Sequence, residues 1–178
     1  MEDYEVRDIF RRATTPDLWM EFNFHTGKTT DLQFQPNASS SNPIWLRASI
    51  GNRSHQPALY AVIRTYLDHS FTIVSDAQGF SRAGEVSTED GRHLNAYWRT
   101  WSIQQNDLPI FSETDFPLPT FSITLDENAI RWPDFYIGYD IRAPGCSTFQ
   151  IIRVVQQPHG TLWITDRSVS TVLLRRGI

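Results

Sequence analysis

A chain of 178 residues with net charge −4 and a pI near 5.7 is long enough for one domain with a sizeable core and too acidic for a domain-wide nucleic-acid footprint. Hydrophobic residues make up 40%, with 6 Trp and 11 Phe, which supplies a bulky aromatic core, and one cysteine, Cys146, excludes an internal disulfide framework and a cysteine-cluster metal site. No apolar run follows the first residues and no stretch nears the roughly 18 residues of a spanning helix, so the expectation is a cytoplasmic protein with no membrane partner. A local basic patch stays open, although the prevalence of arginine (Lys28 is the one lysine among 16 basic residues) reads as composition rather than recognition.

Residues 2 to 13 carry Val6, Ile9, Phe10 and Ala13 at helical spacing, with acids early and Arg11-Arg12 late, as the helix dipole favours. Thr14-Thr15-Pro16 ends this short helix, which is marginal alone and must pack on something. Leu18, Met20, Phe22 and Phe24 alternate with more polar residues as a strand, and Thr30 to Phe34 supplies a second. The loop Pro36 to Pro43 leads into Ile44 to Asp68, the most regular part of the chain. There Ile44, Leu46, Ala48 and Ile50 form one strand, Gly51 to Ser54 a turn, and Leu59 to Leu67 a second strand apolar on both faces. They read as a central pair.

Phe71 to Val74 is a further short strand. The segment from Ser75 to Phe116 is the least regular, punctuated by Gly79, Gly84 and Gly91, and at least one strand is expected in it, around Leu94 to Ile103. Phe121 to Leu125 follows. Phe135, Ile137, Tyr139 and Ile141 then alternate with Tyr136, Gly138, Asp140 and Arg142, turn at Pro144-Gly145, and return as Phe149 to Val155. Leu162 to Ile164 adds a late strand before a frayed end. The whole predicts an all-β fold, an antiparallel immunoglobulin-like β-sandwich with a short N-terminal helix. Its parts are a helix and linker over 1–16, a sandwich over 17–165 and a tail over 166–178.

The opening EDYEVRDIFRRATTPDLWMEF and the central IGNRSHQPALYAVIRTYLD resemble the C-terminal portion of bacterial proteins with an AlbA/Schlafen-type N-terminal domain that binds DNA or ATP. The resemblance covers residues 2 to 68 and implies a short helix leaving that domain and entering a β-sandwich. It implies an accessory domain of a bacterial DNA-binding regulator. The nucleic-acid-binding part of that family has no counterpart here, so nucleic acid is not an expected partner of this chain.

Chemistry-bearing residues are scattered. His25, His55, His69, His93 and His159 stand apart, none with the i, i+4 partner of a zinc helix. No metal site and no cofactor is expected. Asp76, Glu85, Glu89, Asp90 and Asp107 punctuate the irregular segment without the spacing of a calcium loop, and Cys146 has no evident base. The favoured reading is a non-enzymatic binding, sensing or oligomerisation module. The alternative is a hydrolase using those loop carboxylates or Cys146. The expected interaction residues are Val6, Ile9 and Phe10 on the helix and Tyr97, Trp98, Arg99 and Trp101 in an aromatic–basic cluster, which fits a protein partner or self-association.

Overall fold

The computed structural model describes residues 14–24, 31–33, 44–75, 78–125, 134–156, 161–168 and 174–175. The helix expected over 2–13, and with it Val6, Ile9 and Phe10, lies outside them. Strands dominate. In chain order they are β1 (Leu18–Phe24), β2 (Asp31–Gln33), β3 (Ile44–Asn52), β4 (Tyr60–Asp68), β5 (Phe71–Ser75), β6 (Ser81–Thr88) and β7 (His93–Ser102). A 3-10 turn (Ile103–Gln105) follows, then β8 (Phe116–Pro117), β9 (Phe121–Leu125), β10 (Asp134–Ala143), β11 (Cys146–Gln156), β12 (Thr161–Ser168) and β13 (Leu174–Arg175).

Two antiparallel sheets result. The smaller runs β1-β3-β9-β5, with β8 also on β3; the larger runs β13-β6-β7-β4-β10-β11-β12-β2. Alternation decides which side chains meet between them, since successive residues of a strand point to opposite faces. Leu18, Met20, Phe22 and Phe24 of β1 and Leu46, Ala48 and Ile50 of β3 join Ile63 and Leu67 of β4, and Phe135, Ile137, Tyr139 and Ile141 of β10, in one buried cluster. Ring pairs bridge the sheets: Phe22 with Tyr139 at 6.2 Å, Phe71 with Phe135 at 5.4 Å and Tyr97 with Phe121 at 5.6 Å between centroids. Each such side chain contributes about 1.5–3 kcal/mol by leaving water.

The stretch from Ile44 to Asp68 departs from the expected central pair. β3 belongs to the small sheet and pairs with β1, β8 and β9, whereas β4 belongs to the large sheet and pairs with β7 and β10. The intervening residues therefore cross between sheets. Buried Asn52 holds that crossing. Its Oδ1 accepts from Asp17 N (3.0 Å) and Ser54 N (2.9 Å), and its Nδ2 donates to Gln56 O (2.8 Å) and Ile110 O (3.0 Å). One side chain thus satisfies four backbone groups that a cross-over would leave unpaired.

The irregular segment holds two long strands, β6 and β7. β6 eludes pattern reading because Ser81 to Glu85 are exposed and its pairing shifts register between Arg82 and Gly84. Gly84 sits there at φ +107, a conformation glycine tolerates at a bulge. At the other end, β12 continues to Ser168 and β13 pairs with Thr88 and Ser87 of β6, so strands reach into the stretch expected as tail. No helix among the described residues is long and apolar enough to cross a membrane.

Candidate binding face on the large sheet

β10 is buried from Asp134 through Ile141, yet only its odd-numbered residues face the smaller sheet. The even-numbered ones lie on the outer face, where pairing registers align side chains in rows across four strands. One row reads Ala96–Tyr66–Gly138–Ile151 and the next Trp98–Arg64–Asp140–Phe149. The first row, with Leu94 and Tyr136, forms a second, smaller apolar cluster. Gly138 is required in it. A Cβ there would run into Ile151 Cδ1 and stand 2.7 Å from Gln150 O, so the isoleucine side chain occupies the space that any larger residue would need.

The second row is amphipathic. Trp98 is 41% exposed and Phe149 is 46% exposed, and the Phe149 ring meets Tyr66 edge-on at 6.2 Å. Between them Asp140 is only 5% exposed. Its Oδ2 lies 3.7 Å from Arg64 Nη1 and 3.2 Å from Arg142 Nε, and these arginine side chains are 42% and 55% exposed. The carboxylate is therefore sunk beneath two guanidiniums that point to water, and the charge the face presents is positive. The hydrogen bond to Asp140 and its charge raise the Arg142 pKa further. Burial, and then the Asp140 charge, push the Tyr66 phenol above its ordinary value. A groove of about 510 Å³ opens beside this row, lined by Val62, Arg64, Tyr66, Ala83, Val86, Ala96 and Trp98.

A second cavity, about 420 Å³, lies at one end of the same sheet and is lined by Asp68, His69, Ser70, Asp90, Gly91, Arg92 and His93. Its polar groups are engaged in holding strands together. Asp68 accepts from Ser70 N (3.0 Å) and Tyr136 N (3.1 Å). Arg92 donates to the Asp134 carbonyl at 2.6 Å and pairs with its carboxylate, which Arg153 also reaches. The Arg92 guanidinium lies 4.7 Å from the Tyr136 ring centre. Asp90 accepts from the Thr88 and Tyr136 hydroxyls. Burial opposes ionisation of Asp90, but these two hydroxyls and Arg92 outweigh it and hold its pKa below the usual value. Tyr136 is pushed up by burial and by donating to Asp90.

The expected aromatic–basic cluster is split by the pleat. Tyr97 and Trp101, expected on an interaction surface, are buried in the inter-sheet core. Arg99 lies over the Trp101 ring at 5.1 Å and pairs with Asp107 at 2.7 Å. Trp98 stands on the opposite, outer face, as the period of two dictates.

The residues of the hydrolase alternative are also placed. Asp107 accepts from Ser102 N at 3.0 Å as well as from Arg99, so it fastens the turn after β7. Glu85 pairs with exposed Arg82, Glu89 is exposed in the turn before β7, and Asp76 lies outside the described residues. Cys146 opens β11 opposite Ala143, with the Thr148 hydroxyl 3.7 Å from its sulfur. His55 is exposed in the 53–59 crossing, His69 lies in the turn after β4 and His93 starts β7, while His25 and His159 lie outside the described residues. Among the described residues no group of three or more His, Cys, Asp or Glu is placed to hold a metal ion.

Arg64, Tyr66, Asp140, Arg142 and Phe149 are site candidates that sequence reasoning misses. Asp140 and Arg142, two apart on one strand, were the visible signal. The rest required knowing that β4 lies between β7 and β10. No known family model matches the chain, and no curated protein matches it.

Proposed function

We propose that the chain is a non-enzymatic binding module, an immunoglobulin-like β-sandwich acting as the accessory domain of a cytoplasmic bacterial protein, with the outer face of its large sheet as the working surface. One observation carries the reading. Two large exposed aromatic rings, Trp98 and Phe149, flank the Arg64–Asp140 pair in a single cross-strand row. Exposed aromatic side chains beside arginines are the residue types that dominate binding energy at interfaces, and the fold makes no use of these rings in its inter-sheet core. By contrast, the carboxylates of the rival hydrolase reading have structural partners: Asp90 with Thr88 and Tyr136, Asp107 with Arg99 and Ser102.

The test compares the wild-type chain with a Trp98→Glu/Phe149→Glu variant as baits. A protein partner held by wild type, lost by the variant at equal stability, and rebound in purified form with a measurable Kd supports the reading. Equal retention by both baits overturns it. So does turnover of an ester or phosphoester by the pure protein that Asp90→Asn or Cys146→Ser abolishes.

A further inference from the structure

The groove beside Trp98 has a more specific chemistry than a general protein-docking face. Its lining joins small and aliphatic side chains, Val62, Ala83, Val86 and Ala96, with the aromatic rings of Trp98 and Tyr66. Arg64 lines it too, directly opposite Trp98 in register, so that the ring and the guanidinium stand side by side on neighbouring strands about 5 Å apart at Cβ. The groove is open to solvent, and its volume of about 510 Å³ is large enough to seat a small ring system.

Charge narrows the occupant. Arg64 and Arg142 share the one carboxylate of Asp140, so two positive groups and one negative leave one positive charge in excess. That carboxylate is buried while both arginines reach solvent. A second copy of this face laid against the first would oppose like charges, which disfavours it. A neutral apolar ligand would cover the apolar lining but leave the guanidiniums unmatched. A ligand with one acidic group accepts from Arg64, the guanidinium that lines the groove, through charge-assisted hydrogen bonds, and a planar ring on the same molecule stacks on the indole.

We infer that this groove binds a small planar aromatic acid, one ring system carrying a single negative charge, with the ring against Trp98 and the acid at Arg64. The inference rests on the binding-module reading and names the ligand class for the same face.

The experiment is isothermal titration of the full chain with 1-naphthoate and with its neutral analogue 1-naphthamide, in parallel with denaturation curves. Wild type takes up one naphthoate per chain, at least about tenfold more tightly than the amide, a difference of roughly 1.4 kcal/mol. Arg64→Gln removes that preference, so that acid and amide bind alike, and Arg64→Lys restores part of it. Trp98→Ala weakens both ligands together. The inference is overturned if acid and amide bind equally, if the variants bind like wild type, or if no binding is seen at roughly 1 mM ligand. Capture of a protein partner needs no aromatic acid. Failure here therefore leaves the binding-module reading intact, and failure of partner capture leaves naphthoate binding to be judged on its own.

Discussion

The two faces of β10 make an instructive pair. Both are buried, from Asp134 to Ile141, but by different means. On the inner side Phe135, Ile137, Tyr139 and Ile141 pack across to the other sheet. On the outer side Asp134, Tyr136, Gly138 and Asp140 are covered by their own sheet's side chains: Ile151 over Gly138, Arg92 and Arg153 on Asp134, Arg64 and Arg142 on Asp140. Burial by a second layer is non-directional and rests on apolar area. Burial by long neighbouring side chains places charged heads at the surface above it, and so yields a face that is both packed and chemically specific.

The comparison is broken most severely on the inner side. Phe135→Ala empties a fully buried site facing Phe71 and is expected to cost about 3–5 kcal/mol, read as a lowered midpoint in urea. A smaller loss follows Gly138→Ala on the outer side. The new methyl must displace Ile151 or the Gln150 carbonyl, at about 1–3 kcal/mol, and the disturbance reaches the groove through Tyr66.

Thr65 sharpens the contrast in the opposite direction. Its hydroxyl is buried on the inner side with no hydrogen-bond partner among the described residues. Thr65→Val, of the same shape, is expected to raise stability by about 1 kcal/mol, because it removes a desolvated polar group. An unchanged or lower urea midpoint would contradict that account.

Alkaline pH acts on both faces. Burial raises the phenol pKa of Tyr139 on the inner side, and of Tyr66 and Tyr136 on the outer, above the ordinary 10.0. The folded state therefore favours the protonated phenol. Its contribution is complete below pH 10 and is lost as pH rises through the folded values. Denaturation midpoints measured across that window are expected to fall, and Tyr66→Phe is expected to reduce the fall.

Much of the inner side was legible in the sequence. The alternations in β1, β3 and β10 named the core residues, and the Pro144–Gly145 turn, with Gly145 at φ +76, set the β10–β11 hairpin. Two things were not legible. The partners of β4 depend on contacts far apart in sequence, so a local reading placed β3 beside it although a crossing to the other sheet intervenes. The residues from Tyr97 to Trp101 look like one surface in the sequence, whereas the strand period sends Tyr97 and Trp101 inward and Trp98 outward. The Trp98–Arg64–Asp140–Phe149 row comes from four strands, and no local pattern contains it.

The smallest expected effect on stability and the largest on binding belong to the same substitutions. The most direct measurement pairs urea denaturation with partner retention for the Trp98→Glu/Phe149→Glu variant. Both positions are exposed, so the midpoint is expected to stay within about 0.5 kcal/mol of wild type per substitution while retention is lost. A variant that retains a protein partner as wild type does would contradict the account by showing that these rings are not the binding face, and one that loses several kcal/mol of stability would contradict it by showing that they hold the fold together.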